Sequence, residues 1–214
     1  MLFYSMKIIT LITTRSKSCA VKTLHTILKL NIYCIQNSYQ NEIIYVNDDP
    51  FDKIDAIHKC LPRCDRLFFI DFGVNVDEES VKQIFEKHEG IGVLVFPGVK
   101  EGIDWGLFKH KVIEGSTEPT SQMGLNFDTE VGNKISKDIY SVTSTQAKSW
   151  VMFSKNIMKN TKDKKGKWGL NVKMFEKLKE QGVKIYAFTA AKLTMTYSHE
   201  CISNILNAAG IKAN

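Results

Sequence analysis

The stretch LFFIDFGVNVDEES, residues 67–80, is the most informative segment for the fold. It is an apolar run that is followed directly by an aspartate. Leu67 to Ile70 are all apolar, which is typical of a strand covered on both faces of a parallel sheet. Asp71 follows at once, so the pattern predicts an acidic side chain at the carboxyl edge of that sheet. The second acidic cluster, residues 77–80, favours a helix N-terminus through the helix dipole. Asp71 itself has two interpretations: a ligand for metal or substrate, or an ordinary strand end.

The first hundred residues alternate between strand and helix patterns. Strands are predicted in four segments that are rich in β-branched or apolar residues: 7–14 (KIITLITT), 41–46 (NEIIYV, stopped by the residues NDDP), 67–70 and 90–98 (GIGVLVFPG). Helices are predicted between them, the first over about 19–30 with Val21, Leu24, Ile27 and Leu28 on one inward stripe. This order predicts an α/β fold with a central, mostly parallel mixed sheet flanked by helices.

The second half of the chain is less regular. A helix over 170–181, a strand in VKIYAFTA (183–190) and a last helix over about 199–209 restore the α/β pattern. The sequence shows no internal repeat and no long linker. We therefore expect a single domain that spans residues 1–214.

Composition narrows the classes of partner. The net charge is +6, and the six lysines and one aspartate between residues 155 and 167 account for five of these charges. A broad basic face for nucleic acid is therefore not expected. The basic segment is interpreted as a solvated loop, with a flap over a diphosphate or a contact to an anionic partner as alternatives.

Cysteine usage and the N-terminus point to a cytoplasmic protein. The five cysteines are odd in number and form no CxxC pair, so free thiols in a reducing compartment are expected. The apolar stretch MLFYSMKIITLITT is interrupted by Ser5 and Lys7, is too short to span a bilayer and lacks a basic flank. No membrane span is expected.

The predicted strand ends carry side chains that suit a nucleoside diphosphate. Ligands of open parallel sheets bind beyond the carboxyl ends of the strands. Hydroxyls, carboxylates and one guanidinium stand at those ends here: Thr13, Thr14 and Arg15, then Asp48 and Asp49, then Asp71 and Gly73. The sequence lacks GxGxxG, GxxxxGK[ST], GxSxG and HExxH, and the DFG triplet lacks the other kinase motifs.

The segments LITTRS, IIYVNDD and LFFIDFGVNVD together resemble the GT-A glycosyltransferases in order and spacing. FFIDFGVNVD, VFPGVKEGIDW and MGLNFDTEVG are more closely similar to a chlorella-virus glycosyltransferase domain linked to capsid protein glycosylation, over essentially the whole chain. The resemblance implies a single GT-A-like (Rossmann-like) domain, with residues 1–100 as the nucleotide-binding half and 101–214 as the acceptor or sugar half. The sequence departs from the family's DxD motif, because Gly73 stands at the position of the second acid and leaves Asp71 alone. Asp77 is a possible substitute, although a helix cap is its alternative role.

The resemblance also implies a ligand set for the donor. Nucleotide contacts would come from Thr13, Thr14, Arg15, Asp48, Asp71 and Gly73. Asp48 is preferred over Asp49, whose backbone is restricted by the following proline. A Mn²⁺ or Mg²⁺ ion would be held by Asp71, and His199 in MTYSHE is the candidate second ligand, with a surface histidine as the alternative.

Candidate catalytic carboxylates follow the fourth strand. Glu101 and Asp104 lie in VKEGIDW and Asp128 lies in NFDTEV, where a base for an acceptor hydroxyl or a contact to a sugar is needed. Each of these acids has a solvated surface position as its alternative. Trp105 and Trp150 could stack on a sugar ring, although core positions are the expectation for both. Retention or inversion of the anomeric centre stays open.

Together with these residues, the resemblance implies a metal-dependent hexosyl- or deoxyhexosyltransferase. It would move a sugar from a nucleoside diphosphate, most simply UDP, to a glycan or glycoprotein acceptor, in the cytoplasm of an infected host cell if the viral resemblance holds. A non-catalytic nucleotide- or glycan-binding module and a Rossmann-like nucleotidyltransferase are the alternatives. The absence of glycine in TTRSKS counts against the nucleotidyltransferase.

Overall fold

The computed structural model describes residues 5–120, 122–161 and 169–196. Its strands are β1 (Lys7–Thr14), β2 (Gln40–Asn47), β3 (Arg66–Ile70), β4 (Val74–Val76), β5 (Ile91–Val95), β6 (Thr129–Ser136), β7 (Ile139–Thr145), β8 (Ser149–Phe153), β9 (Lys184–Phe188) and β10 (Leu193–Met195). Its helices are α1 (Val21–Gln36), α2 (Pro50–Cys60), α3 (Glu78–Lys82), α4 (Trp105–Ile113), α5 (Ser154–Asn160) and α6 (Met174–Glu180).

Eight strands form one central sheet in the order β2-β1-β3-β8-β5-β9-β7-β6. β1 pairs in parallel with β2 and β3, and β5 pairs in parallel with β9. β8 runs antiparallel between β3 and β5, and β7 runs antiparallel between β9 and β6. β4 and β10 form a separate two-stranded ribbon. The predicted class is confirmed: a single α/β domain with a mixed, mostly parallel sheet flanked by helices.

Both faces of the sheet are covered, which explains the apolar run of β3. Leu67 and Phe69 pack into a cluster with residues of α2, α5 and α6, whereas Phe68 and Ile70 pack into a cluster with α1 and α3. All four side chains are buried. Because the strand is held from both sides, the position of its carboxyl end is fixed by the core.

Of the predicted inward stripe, helix α1 buries only Ile27. It buries Thr23, Thr26, Ile27, Leu30 and Cys34, while Val21, Leu24 and Leu28 are exposed. The two threonines of this buried face bond to the β4 backbone, a contact that the sequence pattern did not predict. The Thr23 hydroxyl donates to the Val74 carbonyl at 3.0 Å, and the Thr26 hydroxyl accepts from the Val76 N–H at 2.9 Å.

The second half holds strands that periodicity did not show. β6 and β7 form an exposed hairpin, and β8, with the sequence SWVMF, occupies the centre of the sheet. The first two lysines of the basic segment belong to α5, and residues 162–168 lie outside the described ranges. The predicted last helix, about 199–209, also lies outside them. Among the cysteines of the described ranges, Cys19, Cys34, Cys60 and Cys64 are free thiols.

Candidate functional site

Four charged side chains meet where β1, β2 and β3 end. The Arg15 Nε donates to Asp48 Oδ2 at 2.6 Å, and the Lys53 Nζ lies 2.5 Å from Asp48 Oδ1. The same ammonium lies 3.6 Å from Asp71 Oδ1. We call these residues, Arg15, Asp48, Lys53 and Asp71, the rim cluster. It joins a side chain from the end of each of three parallel strands with one from the first turn of α2.

The sequence DDP separates a structural aspartate from one that joins the rim cluster. Asp49 is the N-cap of α2 and accepts from the N–H groups of Phe51 at 2.8 Å and Asp52 at 3.0 Å. Pro50 follows as the first helical residue, a position that suits its fixed φ. The cap starts the helix at a fixed point. Lys53 consequently stands one turn later, facing Asp48 across the strand ends.

Asp48 is held in its charged form. Its partial burial would raise the pKa of the carboxyl, but the hydrogen bonds and positive charges of Lys53 and Arg15 outweigh that effect and hold the pKa below its ordinary value. The carboxylate thus accepts from two cationic donors at once. A third donor, such as a sugar hydroxyl, can still reach its remaining lone pairs.

Asp71 presents a carboxylate oxygen with little else bound to it. Its backbone is fixed by the N–H, which donates to the Lys148 carbonyl at 2.8 Å. Oδ1 is buried and has no hydrogen-bond partner among the described residues. The side chain as a whole is 13% exposed, and the Lys53 ammonium lies 3.6 Å from the buried oxygen. An unpartnered buried carboxylate oxygen is expensive, which marks this atom as a place for a further ligand.

The oxygen of Asp71 suits a hard divalent cation in type, because Mn²⁺ and Mg²⁺ prefer carboxylate ligands. Within the described ranges, no group of three or more His, Cys, Asp and Glu side chains could hold a metal ion. His199, the other predicted ligand, lies outside those ranges. Of the two predicted ligands, the described residues contain only Asp71, and the ammonium beside it adds positive charge.

Two of the predicted nucleotide contacts, Thr14 and Gly73, have structural roles in the fold, and a third, Thr13, is enclosed in the core. Thr13 is fully buried, and its hydroxyl finds no hydrogen-bond partner in the described part of the chain. The Thr14 hydroxyl donates to the Val46 carbonyl at 3.1 Å and so ties β1 to β2. Gly73 has φ +76°, and a Cβ there would lie 2.9 Å from the Thr196 carbonyl oxygen. The turn after β3 therefore requires glycine for its own geometry.

Asp128 lies at the same edge of the sheet, next to the end of β5. Its Oδ1 accepts from the Gly98 N–H at 3.0 Å and from the Thr129 hydroxyl at 2.8 Å. Oδ2 is buried without a hydrogen-bond partner among the described residues. Burial raises the pKa of this carboxyl, and the hydrogen bonds from Gly98 and Thr129, with the charge and backbone of Lys148, offset that only in part.

Lys148 acts on both of the carboxylates that have one oxygen without a hydrogen-bond partner among the described residues, Asp71 and Asp128. Its carbonyl accepts from the Asp71 N–H, and its charge and backbone act on Asp128. Lys148 directly precedes β8, whose antiparallel course brings its first residue to the edge where β3 and β5 end. The structure therefore places Asp71 and Asp128, predicted for different roles, on one rim.

A cavity of about 180 Å³ opens beside Asp128. Its walls come from the β6–β7 hairpin, α6 and the loop after β5, and they carry both charges: Lys100, Glu130, Glu176 and Lys179. Val142, Phe175 and Ile185 line its apolar side. A cavity with apolar walls and a few polar groups is suited to a small polar ligand such as a sugar unit.

Backbone hydrogen bonds join the segment 98–104 to the segment 124–128, with Asp128 near one end of this pairing and Asp104 at the other. The Asp128 N–H donates to the Gly98 carbonyl at 2.9 Å, and the Asp104 N–H donates to the Gly124 carbonyl at 2.9 Å. Asp104 is the N-cap of α4, accepting from the Leu107 N–H and the Asn126 amide, and these bonds lower the pKa of its carboxyl. Glu101 is exposed on the same loop. Neither residue is brought into the rim cluster.

The two tryptophans separate. Trp150 is buried in β8, stacked on Phe69 with ring centroids 4.8 Å apart, so it is a core residue and cannot stack on a sugar. Trp105 was expected in the core as well, and that expectation is wrong: it is 68% exposed at the start of α4, a helix that buries none of its residues.

Sequence reasoning missed Lys53, Lys148 and Phe72. The Arg15 guanidinium lies 5.2 Å from the centroid of the Phe72 ring, which supports it on one side. Lys53 had a local signal, because a capped helix after NDDP places its fourth residue near the strand ends. Lys148 had none, because its position depends on β8 pairing with strands about 80 and 55 residues earlier in the chain.

No protein-family model matches the chain, and no curated protein sequence matches it significantly. Among solved structures, the crystal structure of A197 from STIV aligns with TM-score 0.50 and 13% identity over 90% of this chain and 87% of that one. This similarity shows a shared fold.

Glycosyltransferases are also among the structural neighbours. A mutant of Drosophila β1,4-galactosyltransferase 7, in complex with manganese, UDP-Gal and xylobiose, aligns with TM-score 0.48 and 9% identity over 92% of this chain and 73% of that one. A glycosyltransferase involved in glycosylation of the major capsid of PBCV-1 aligns with TM-score 0.27 and 17% identity over 42% of this chain and 50% of that one. The latter alignment covers less than half of this chain, whereas the sequence resemblance was expected to cover essentially all of it.

None of the helices in the described ranges is long and apolar enough to cross a membrane.

Proposed function

We propose that the chain is a glycosyltransferase that binds a nucleoside diphosphate sugar at the rim cluster. The observation that carries this proposal is the meeting of Arg15, Asp48, Lys53 and Asp71 at the ends of three parallel strands. Charged groups gathered at that edge of an open α/β sheet are typical of a ligand site. Two cationic donors and two carboxylates match a diphosphate together with the hydroxyls of ribose or sugar.

The cations would bind the diphosphate. Arg15 is about half exposed and is supported from one side by Phe72, so its remaining N–H groups can form charge-assisted bonds to phosphate. Lys53 would donate a second such bond from the opposite side of Asp48. Asp48 would accept from a ribose hydroxyl while it keeps both cations in place. The order of charges along the rim thus suits a donor laid across the ends of β1, β2 and β3.

Asp71 is the residue that would hold a divalent metal, with His199 as the predicted second ligand. Mn²⁺ or Mg²⁺, when bound, supplies charge that offsets the diphosphate leaving group. Asp71 contributes a buried oxygen that accepts no hydrogen bond from the described residues. Gly73, two residues after Asp71, lets the loop after β3 pass close to Thr196. A direct contact of Thr13, Thr14 or Gly73 with the nucleotide stays a prediction.

Asp128 would serve as the base for an acceptor hydroxyl. Burial raises the pKa of its carboxyl, which makes the carboxylate a stronger base than an exposed aspartate. Oδ2 would take the proton, because Oδ1 already accepts two hydrogen bonds. The cavity beside it would receive an acceptor glycan or the glycan of a glycoprotein. Residues 1–100 would then form the donor half of the domain and residues 101–214 the acceptor half.

Trp105 would extend the acceptor side. Its ring is exposed next to Phe108, with ring centroids 5.9 Å apart, so the pair offers an aromatic surface to a sugar. Asp104 and Glu101 would contact sugar hydroxyls rather than act as the base. The use of UDP, the transfer of a hexose or deoxyhexose, and action in the cytoplasm of an infected cell on a capsid protein stay predictions.

A transfer assay tests this proposal. The protein is incubated with a panel of nucleotide sugars and Mn²⁺, with and without glycan acceptors, and released nucleoside diphosphate and labelled product are measured. Lys53→Met should abolish turnover, whereas Lys59→Met, which removes an exposed lysine paired with Asp55 on the same helix, should not change it. Nucleotide binding with no turnover for any donor would favour the non-catalytic module. Release of pyrophosphate from a nucleoside triphosphate would favour the nucleotidyltransferase.

A further inference from the structure

Helix α1 has a second apolar face that the described structure does not cover. Five aliphatic side chains recur at helical spacing on its outer side, and they are 42–82% exposed: Val21, Leu24, Leu28, Ile32 and Ile35. The opposite side of the same helix packs on the sheet. We call these five residues the outer stripe. An apolar row of this length on a soluble domain indicates an interaction surface.

The surroundings of the outer stripe are basic. Residues 15–36 contain Arg15, Lys17, Lys22 and Lys29 and no aspartate or glutamate. Arg15 belongs to the rim cluster, which leaves Lys22 and Lys29 on the helix and Lys17 in the turn that precedes it. Glu78 of α3 lies beside Lys29 and Ile32 in a shallow cleft. The stripe is therefore flanked by more positive than negative charge.

We propose that α1 lies on the surface of an anionic lipid bilayer, with the outer stripe in the acyl boundary and Lys17, Lys22 and Lys29 at the headgroups. An amphipathic helix with aliphatic residues on one side and lysines beside them has this mode of binding. The stripe lies on a convex helix rather than in a groove, so it can enter a soft surface without a shaped partner. It contains no aromatic or arginine residue, the side chains that dominate protein interfaces.

This orientation is compatible with the rim cluster but does not depend on it. The loop that carries Arg15 leads directly into α1, so a domain bound through α1 would hold the ends of β1 to β3 near the membrane plane. A glycan acceptor carried on a lipid or on a membrane-bound protein would then lie within reach. Vesicle binding is measured without nucleotide, so its outcome is separate from that of the transfer assay.

Vesicle cosedimentation tests this inference with the full chain. The protein is mixed with phosphatidylcholine vesicles that contain or lack phosphatidylglycerol, at low and high salt. We expect sedimentation with the anionic vesicles that weakens at high salt, because exposed lysines are screened. The double variant Leu28→Glu, Ile32→Glu should reduce the apparent affinity for the anionic vesicles on the order of tenfold or more. It removes two aliphatic side chains that would enter the bilayer and adds two negative charges that the anionic lipids repel.

The matched control is Val131→Glu, Ile135→Glu on β6, which adds the same two charges at apolar side chains that are 45% and 49% exposed. This variant should bind the anionic vesicles like the original protein. The inference is overturned if the original protein binds neither kind of vesicle. It is also overturned if the control variant loses as much vesicle affinity as Leu28→Glu, Ile32→Glu. A dimer in light scattering that Leu28→Glu, Ile32→Glu dissociates, with no vesicle binding, would also overturn it and assign the stripe to a second copy of the chain.

Discussion

The ammonium of Lys53 lies 3.6 Å from Oδ1 of Asp71, a buried oxygen with no hydrogen-bond partner among the described residues. The same ammonium lies 2.5 Å from Asp48. Lys53 therefore places a positive charge close to the position that a metal ion bound to Asp71 would occupy. A divalent cation and the ammonium repel each other at this distance unless a diphosphate lies between them.

Lys53→Met should consequently separate metal binding from nucleotide binding. Without the ammonium, Mn²⁺ alone should bind at least about threefold more tightly, because a like charge is removed from its neighbourhood. UDP should bind more weakly, because a charge-assisted hydrogen bond is lost. Free Mn²⁺ measured by electron paramagnetic resonance gives the first quantity and calorimetry gives the second. Lys59→Met is the control, and weaker Mn²⁺ binding by Lys53→Met would contradict this role.

Asp71→Asn should abolish metal-dependent donor binding at little cost in stability. The side chain keeps its shape, and its ion pair with Lys53 is a long one, so the free energy of unfolding should change by less than about 1 kcal/mol. Thermal melting checks the fold, and UDP binding with Mn²⁺ or EDTA checks the function. A variant that unfolds, or one that retains full Mn²⁺-dependent binding, would show that Asp71 is a structural strand end.

Arg15→Ala should weaken nucleotide binding by roughly 1.5–3 kcal/mol, the range for a charge-assisted hydrogen bond. Its effect on stability should be small because the guanidinium is about half exposed. Arg63→Ala is the matched control, since Arg63 forms a similarly exposed ion pair with Glu42, away from the rim cluster. Calorimetric titration with UDP compares the two variants. Equal affinity in both would remove Arg15 from the site.

Asp128 should give a pH dependence of opposite sign in activity and stability. Its folded pKa is raised by burial, so the neutral form is favoured in the folded state. The stabilisation from that form is present below about pH 4, the ordinary aspartate value, and is lost as pH rises through the folded pKa. Turnover should rise over the same interval as the base deprotonates.

Asp128→Asn tests both parts of this prediction. It should be inactive at every pH, and its stability relative to the original protein should increase as pH rises above about 4. Melting curves over a pH series give the stability, and the transfer assay gives the rate. Retained turnover in this variant would show that Asp128 is not the base. A stability difference that does not change with pH would show that the pKa of Asp128 is not raised in the folded protein.

Gly73→Ala should destabilise the fold by about 1–3 kcal/mol, because φ is positive and the new Cβ would meet the Thr196 carbonyl oxygen. Gly102→Ala is a matched control with φ +92° and no atom within 4 Å of its added Cβ. It should show only the conformational part of the cost. Chemical denaturation of both variants measures the difference, and equal losses would mean that the approach of Thr196 costs nothing.

Local sequence patterns predicted those features of the fold that depend on residues close together in the chain. The segment KIITLITT is β1 from Lys7 to Thr14, and Asp71 stands directly after the buried strand β3. Asp77 is the N-cap of α3, with its carboxylate accepting from the Glu79 N–H at 3.2 Å. These features follow from hydrophobic periodicity and helix capping, which depend only on neighbouring residues.

The tertiary structure decided which of these features meet. β8 enters the sheet between β3 and β5, so Lys148 comes to lie beside both Asp71 and Asp128, although neither is near it in sequence. The face that α1 buries likewise depends on the tertiary structure, because its threonines bond to the β4 backbone and its Ile27, Leu30 and Cys34 pack in the core. Sequence alone determined the strand ends and their charges. Strand pairing and backbone hydrogen bonds over long separations determined the site, because local periodicity holds no information about which segments become neighbours.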